Sequence, residues 1–352
     1  MKNLKEECIA LLKSLIKTPS FSKEEDKTAD LIEQFLQKKN IKTQRLHNNI
    51  IAKNKQFNKR KKTLVLNSHH DTVKVNEGWT FEPFSAAEID GKIIGLGSND
   101  AGGALIALIA AFIHFHDKKL DYNLVLIASG EEENGGANGV KSVLQKLDFP
   151  IALTIVGEPT EMQPAIAEKG LLVIDAEATG EAGHAARPNG KNAIDIAVSD
   201  IQKINDFNFS KVSPNLGAVV KSVTQIEAGY RHNVIPDACR FVIDVRVNEC
   251  YTLEEVFASL QGICQSKLTA RSFRNRPSGI DIGHSLVQKA VDLGLQPFGS
   301  PTLSDQVNFK NDSLKIGPGK SERSHQANEF IYVSEIEEGI DIYVDLLAGL
   351  KF

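Results

Sequence analysis

Hydrophobic residues fall along this chain in three patterns. The first is helical. In MKNLKEECIALLKSLIK, Leu4, Cys8, Leu11, Leu12 and Leu15 share one face, which predicts an amphipathic helix. Its interleaved Lys and Glu are unlike the unbroken apolar stretch of a secretion leader. TPSFSKEEDKTADLIEQFLQKK predicts a second helix, with Ser22 and Glu25 forming a capping box and Phe21 stapled to the turn behind it. The second pattern is continuous. KTLVLNS, YNLVLIAS, LTIVGEP and SLKIGPG are short apolar runs that end in Gly, Ser or Asn, the signature of strands buried on both faces of a mainly parallel sheet. AGGALIALIAAFIHF, residues 101–115, falls short of the ~20 residues needed to cross a bilayer and predicts a helix packed on that sheet.

The third pattern is alternating. Between residues 166 and 274, LLVIDAEATG, GAVVKSVTQIEAG and ACRFVIDVRVNE read as longer strands with one wet face. Helical stretches at KNAIDIAVSDIQKI and TLEEVFASLQGICQSKL lie between them, giving the order β-α-β-β-α-β of a small two-layer unit. After it, HSLVQKAVDLGL and SLKIGPG return to the first style. The expected architecture is therefore α/β: a catalytic domain of residues 1–165 and 275–352, interrupted by an inserted α+β domain over 166–274.

Composition narrows the function. The 352 residues, 41% hydrophobic, suit one large domain or two moderate ones. A net charge of −4 without a basic stripe speaks against nucleic acid as a partner, and no segment predicts a membrane partner; a small soluble substrate fits better. Cys8, Cys239, Cys250 and Cys264 are scattered without a CxxC pair, as expected of reduced thiols in a cytoplasmic protein.

The chemistry lies at strand ends. LVLNSHHD ends in His69, His70 and Asp71; LVLIASGEEE in Glu131, Glu132 and Glu133; LTIVGEP in Glu158; and LKIGPGKSERSH runs on to His325. GLGSNDAGG adds Asp100 in a Gly-rich turn before the long apolar helix. The C-terminal ends of such strands converge on one crevice, so together these residues predict a metal site. His69 and Asp71, two apart on an extended segment, share a face, whereas His70 points away from it. One of the pair can bind a metal while the other orients it from behind. Adjacent Glu132 and Glu133 point apart, so that one can ligate while the other faces a water. A dication would offset the repulsion among three successive glutamates.

As a set these residues resemble a known family. SHHDTV is similar to its HxDxV motif, GWTFEPFSAAEIDGKIIGLGSNDAGG to its W…PF…DG…GxG…D segment and GEEENGG to its acidic turn; VGEPT, GHAARP, NVIPD and SHQANE match as well. The family is that of the dinuclear-zinc deacylases and peptidases containing acetylornithine deacetylase and succinyl-diaminopimelate desuccinylase. The resemblance implies a zinc-binding α/β domain with an inserted lid and dimerisation domain, and a homodimer. It further implies that His69, Asp100 and Glu158 hold one zinc, and that Asp100, Glu133 and His325 hold the other. Glu132 would be the general base, Asp71 would orient the His69 site, and His184 would reach the substrate carbonyl. The chain departs from the family in Glu131, often Asp, and in the DAGG that follows the bridging position; neither touches an implied ligand.

Two histidines and three carboxylates suit Zn²⁺, with Co²⁺ or Mn²⁺ as substitutes. Two dications sharing a carboxylate can acidify a water and stabilise an oxyanion, which is what amide hydrolysis needs. An N-acyl amino acid also requires recognition of its carboxylate, for which Arg231, Asn233, Arg274 or Arg276 are candidates, while Ser304 and Asp305 sit where the family contacts substrate. The likeness is greatest to the acetylornithine deacetylase branch, which implies N-acetyl-L-ornithine, acetyl-citrulline or succinyl-ornithine as substrate and arginine biosynthesis as context. The alternatives on the same site are a zinc dipeptidase or carboxypeptidase and an N-acyl-lysine or diaminopimelate deacylase. A dinuclear phosphoesterase fits less well, because no basic cluster accompanies the acids.

Overall fold

The structure, a computed structural model, describes residues 1–187 and 190–352; Pro188, the last residue of the GHAARP stretch, lies outside the described residues. The chain divides into two compact units: Met1–Ile166 with Gly279–Phe298 and Ser304–Phe352, and Ala167–Ser278 with Gly299–Leu303.

The first unit is built on a sheet with strand order Thr43–Leu46, Asn49–Lys53, Asn123–Ser129, Thr63–His69, Leu153–Val156, Asp312–Lys315. The last four are mutually parallel, and these are the four runs that read as continuous apolar strands. Every residue of Thr63–His69, Asn123–Ser129 and Leu153–Val156 is buried. Leu64, Leu66, Leu124, Leu126, Ile155 and Leu314 belong to a large core shared with the helices Lys2–Ile16, Gly103–His116 and Val333–Leu347. Val65, Val125, Ile127 and Val156 pack instead with Val140, Val143, Phe149 and Phe309. The helix Gly103–His116 lies against the sheet and against the helices Lys2–Ile16 and Val333–Leu347. It is buried nearly all round, which accounts for an apolar sequence with no polar stripe.

The second helix, Asp26–Lys38, corrects one expectation. It starts at Glu25 with no side-chain cap. The Ser22 hydroxyl instead donates to Asp71 Oδ2 at 2.7 Å. Glu25, fully buried, accepts from the Lys23 and Glu131 backbone N–H groups and from Asn48 Nδ2. Phe21 bridges to Thr72 and packs edge-on against Phe84, 6.1 Å between centroids, rather than stapling to the helix. Tertiary partners took the groups that local capping would have used.

The second unit carries an antiparallel sheet in the order Val220–Ala228, Ala238–Val247, Gly170–Thr179, Lys267–Ala270. With the helices Ala193–Asp206 and Leu253–Ile263 it has the β-α-β-β-α-β order. Burial alternates along the central strands: Leu172, Ile174, Ala176 and Ala178 on one, Cys239, Phe241, Ile243, Val245 and Val247 on the next. Ala193, Ala197 and Ile204, with Leu253, Val256 and Leu260, close that face into a separate core. The helix Leu253–Ile263 has a capping box between Thr252 and Glu255. The opposite face is wet, with ion pairs Arg271–Asp175 at 2.7 Å and Arg240–Glu177 at 3.2 Å.

Candidate metal centre

Parallel strands set side by side bring their C-terminal ends to one edge of the sheet. His69 is the last residue of its strand, the three glutamates follow Ser129 and Gly130, and Glu158 stands two residues beyond Val156. Asp100 comes from the turn before Gly103–His116, and His325 from the loop after Asp312–Lys315. His69 Nε2 lies 3.2 Å from Asp100 Oδ1 and 3.8 Å from Glu158 Oε1. His325 Nε2 lies 3.0 Å from Glu133 Oε2 and 3.5 Å from Asp100 Oδ2. Two trios result, His69–Asp100–Glu158 and Asp100–Glu133–His325, each with donor atoms within 4.8 Å of one another. Asp100 belongs to both, one oxygen toward each histidine. Imidazole nitrogens and carboxylate oxygens at this spacing, with no thiolate among them, fit divalent zinc, cobalt or manganese.

The three glutamates are sorted by their bonds. Glu131 adopts φ 56° and turns away, its carboxylate accepting from Asn138 N–H and Nδ2, both at 3.1 Å. Glu132 and Glu133 are held from below: Asp71 Oδ1 accepts the Glu132 N–H at 3.0 Å and Asp71 Oδ2 the Glu133 N–H at 3.1 Å. Asp71 also stands 3.5 Å from His69 Nδ1, and that nitrogen is 3.0 Å from the Asp71 carbonyl. One carboxylate thus orients a histidine and a glutamate that belong to different trios. His70 points elsewhere, with Nδ1 at Thr28 Oγ1 and Nε2 at the Asn48 carbonyl, each at 2.9 Å.

The electrostatics show a surplus of negative charge. Burial, reinforced by the charges of Glu158, Asp305 and Glu133, holds Glu132 well above the ordinary carboxylate range, although His69 opposes it. Burial also pushes Glu158 up to about 8; His69 and Lys315 pull it down while Asp100 and Glu133 push further. His325 rises to about 9 through its bond to Glu133. For His69 burial favours the neutral ring, yet the bonds to Asp100 and Asp71 and the charges of Glu158 and Glu132 outweigh it and raise the pKa. Carboxylates packed this closely stay ionised only beside positive charge, which bound dications would supply.

Ser304 and Asp305 are turned inward. Both are buried; the Ser304 hydroxyl accepts the Gln306 N–H at 3.2 Å, and Asp305 Oδ2 accepts from the Ser129 hydroxyl at 2.8 Å. Asp305 therefore joins Ser129 and Asn67 in a polar floor on this unit's sheet. His184, Arg231, Asn233 and Arg274 belong to the second unit and are exposed. His184 pairs with Val234 in a two-stranded ribbon, where the Asn233 carbonyl accepts the Ala185 N–H at 3.1 Å. Arg231 adjoins this ribbon, its carbonyl accepting the Val234 N–H at 3.3 Å. Arg274 Nε reaches Ser272 Oγ at 3.3 Å, and Arg276 pairs with Glu254 at 2.6 Å.

Sequence reasoning missed three supports of the centre: Ser22 beneath Asp71, Glu25 at the Glu131 N–H, and Glu329. Glu329 Oε1 accepts the N–H groups of Asn99 and Asp100 at 2.7 and 2.9 Å, and its Oε2 that of Gly97 at 3.0 Å. The signals for Glu329 were its place as the last residue of the SHQANE match and as an acid directly before the apolar FIYV, where the chain re-enters the core.

The model of Peptidase family M20/M25/M40 matches residues 65–349. The chain is 28% identical to an acetylornithine deacetylase of Proteus mirabilis over 306 residues, covering 81% of this chain and 79% of that protein. It is 28% identical over 376 residues to a succinyl-diaminopimelate desuccinylase of Cereibacter sphaeroides, covering 96% and 97%. Among solved structures, the M20 family metallo-carboxypeptidase Sso-CP2 from Sulfolobus solfataricus superposes with a TM-score of 0.79 at 20% identity, covering 97% of this chain and 98% of that one.

Proposed function

This chain belongs to Peptidase family M20/M25/M40 and is a metal-dependent amidohydrolase, and from that premise we propose that it hydrolyses the amide of an N-acyl-L-amino acid, with N-acetyl-L-ornithine in arginine biosynthesis as the leading substrate. Acetyl-citrulline and succinyl-ornithine stand next to it. The observation that carries the reading is Asp100, whose two oxygens face His69 and His325 separately, at 3.2 and 3.5 Å. That arrangement suits a pair of divalent cations, zinc first, held by the two trios.

When bound, the cation pair would supply Lewis-acid polarisation of the acyl carbonyl and a more acidic attacking water. Glu132, adjacent to the ligand Glu133 and not itself in either trio, is the base that accepts the proton of that water and then delivers it to the leaving amine. Asp71 holds the Glu132–Glu133 backbone and the His69 ring in register. His184 donates to the developing oxyanion, and Arg231, Asn233 and Arg274 are the groups proposed to meet the substrate carboxylate.

The protein is further read as a cytoplasmic homodimer that pairs through the second unit. The strand Val220–Ala228 is an edge of its sheet, with Val220 and Ile226 50% and 56% exposed. The free cysteines fit a reducing compartment. Light scattering that finds an active monomer would count against the pairing.

The test is a hydrolysis panel: N-acetyl and N-succinyl derivatives of ornithine, citrulline, lysine, glutamate and diaminopimelate, together with unblocked dipeptides. It is run on chelated protein and again after zinc, cobalt or manganese is restored. Metal-dependent release of ornithine from its acetyl derivative is expected. Cleavage of dipeptides alone would favour the peptidase alternative, and no metal-dependent turnover of any acyl amino acid would overturn the reading.

A further inference from the structure

Asp100 and His325 stand on two loops far apart in sequence, and side chains that neither trio uses stitch those loops together. Glu329, only 3% exposed, places its carboxylate against three backbone donors of one loop, the N–H groups of Gly97, Asn99 and Asp100, at 2.7 to 3.0 Å. Its own carbonyl accepts the Gly95 N–H at 2.9 Å. Asn99, fully buried, reaches back: Oδ1 accepts the Lys320 N–H at 3.0 Å, and Nδ2 donates to the Lys320 carbonyl at 3.0 Å and to Ser324 Oγ at 3.3 Å. Gly319, at φ 91°, passes so close to Asn99 that an added Cβ would stand 2.4 Å from Asn99 Oδ1. The two loops are thus bonded in both directions directly behind a ligand of each.

A buried carboxylate beside other carboxylates is a costly way to fill space. It is warranted only where an acceptor of full strength on both oxygens is required. A glutamine there would offer one acceptor oxygen and turn an NH₂ group toward at least one backbone N–H.

We propose that Glu329 is a positioning residue of the metal centre: by gripping the Gly97–Asp100 backbone from the His325 loop, with Asn99 as the return stitch, it fixes Asp100 against His325 and sets the affinity of the Asp100–Glu133–His325 trio for its cation. That trio draws two of its three ligands from the clasped loops, whereas His69–Asp100–Glu158 draws one. The effect is therefore asymmetric. This inference rests on the proposed reading of the trios as cation sites.

Calorimetric titration of metal-free protein with Co²⁺ and with Zn²⁺ tests it, with thermal melts of the metal-free forms alongside. The wild type comes first: fewer than two bound ions would sink the two-cation reading itself. If the wild type binds two, Glu329→Gln should weaken one of them about 10- to 100-fold and leave the other within about threefold. In a His325→Ala background, which removes a ligand from one trio only, the same substitution should leave the remaining ion within about threefold. A residue with a merely structural role would lower the melting temperature and leave the ratio of the two affinities unchanged. That result, or equal weakening of both ions, overturns the proposal. Asn99→Ala removes the return stitch without altering charge; it should shift the same affinity in the same direction, and it stands in if Glu329→Gln does not fold.

Discussion

The two sheets of this protein solve burial differently, and the difference decides where chemistry can reside. In the first unit the strands Thr63–His69, Asn123–Ser129 and Leu153–Val156 are buried along their whole length. Neither face is free for solvated polar groups, so ionisable side chains collect where the strands stop, and there they meet those of the neighbouring strands. In the second unit each central strand buries alternate residues and presents the rest to water. Its charges are spread over an open face as separate ion pairs, Arg271 with Asp175 and Arg240 with Glu177. The first arrangement concentrates carboxylates until burial and mutual repulsion raise Glu158 to about 8; the second lets each acid find its own counter-ion in high dielectric.

The largest expected effect tests the concentrated end. Glu132→Gln keeps both trios but removes the base, so kcat on a hydrolysed N-acyl amino acid should fall roughly 10²- to 10⁴-fold with bound metal unchanged. Metal content by elemental analysis, measured beside turnover, separates this from loss of the site. Full activity with full metal would remove Glu132 from the chemistry.

Next come the two burial modes themselves. Leu66, with no exposed surface in the middle of a doubly buried strand, should cost about 2–5 kcal/mol on replacement by alanine. Val242, on the half-open face of Ala238–Val247, should cost about 1 kcal/mol or less. Urea denaturation of each variant measures this; equal costs would mean that the second sheet's outer face is covered in solution.

The same contrast explains how much could be read from the sequence. Continuous apolar runs and alternating runs are one-dimensional signals, so both sheets, the order of the inserted elements and the buried helix Gly103–His116 were legible. The strand-end residues were legible as well, because a parallel sheet gathers its C-terminal ends whatever the details. The supports were not. Ser22 and Glu25 fit a local capping rule, yet Asp71 and Asn48, from other parts of the chain, claim their side chains. Asp71 was read as orienting His69, but its bonds to the Glu132 and Glu133 N–H groups depend on the turn after Ser129 folding back beside it. Ser304 and Asp305 lie in the stretch read as a substrate contact; both are buried, and Asp305 accepts from Ser129, far away in sequence. Ser304 apart, whose hydroxyl accepts from the nearby Gln306 N–H, each of these side chains serves a partner that only the tertiary fold brings near.

The smallest effect sharpens the comparison inside the second unit, between a buried acid and an exposed one. Asp200, with no exposed surface, accepts from the Ser266 N–H and hydroxyl, both at 2.7 Å, and from the Gln265 N–H at 2.9 Å, and it pairs with Lys203 at 3.2 Å. Burial alone would raise its pKa; these donors outweigh burial and hold it below the usual aspartate value. A folded pKa below the unfolded one adds stability that is fully present above the unfolded value of about 3.9 and is lost as pH falls through the folded value. Asp200→Asn should therefore cost about 1–3 kcal/mol at pH 7, and the gap to wild type should narrow below about pH 4. Asp175→Asn, which breaks a bond to the exposed Arg271, should leave the same melt unchanged within error at pH 7. A pH-independent gap for Asp200→Asn would mean that its carboxylate does not act through its charge, and that this acid resembles those on the open face more closely than its burial implies.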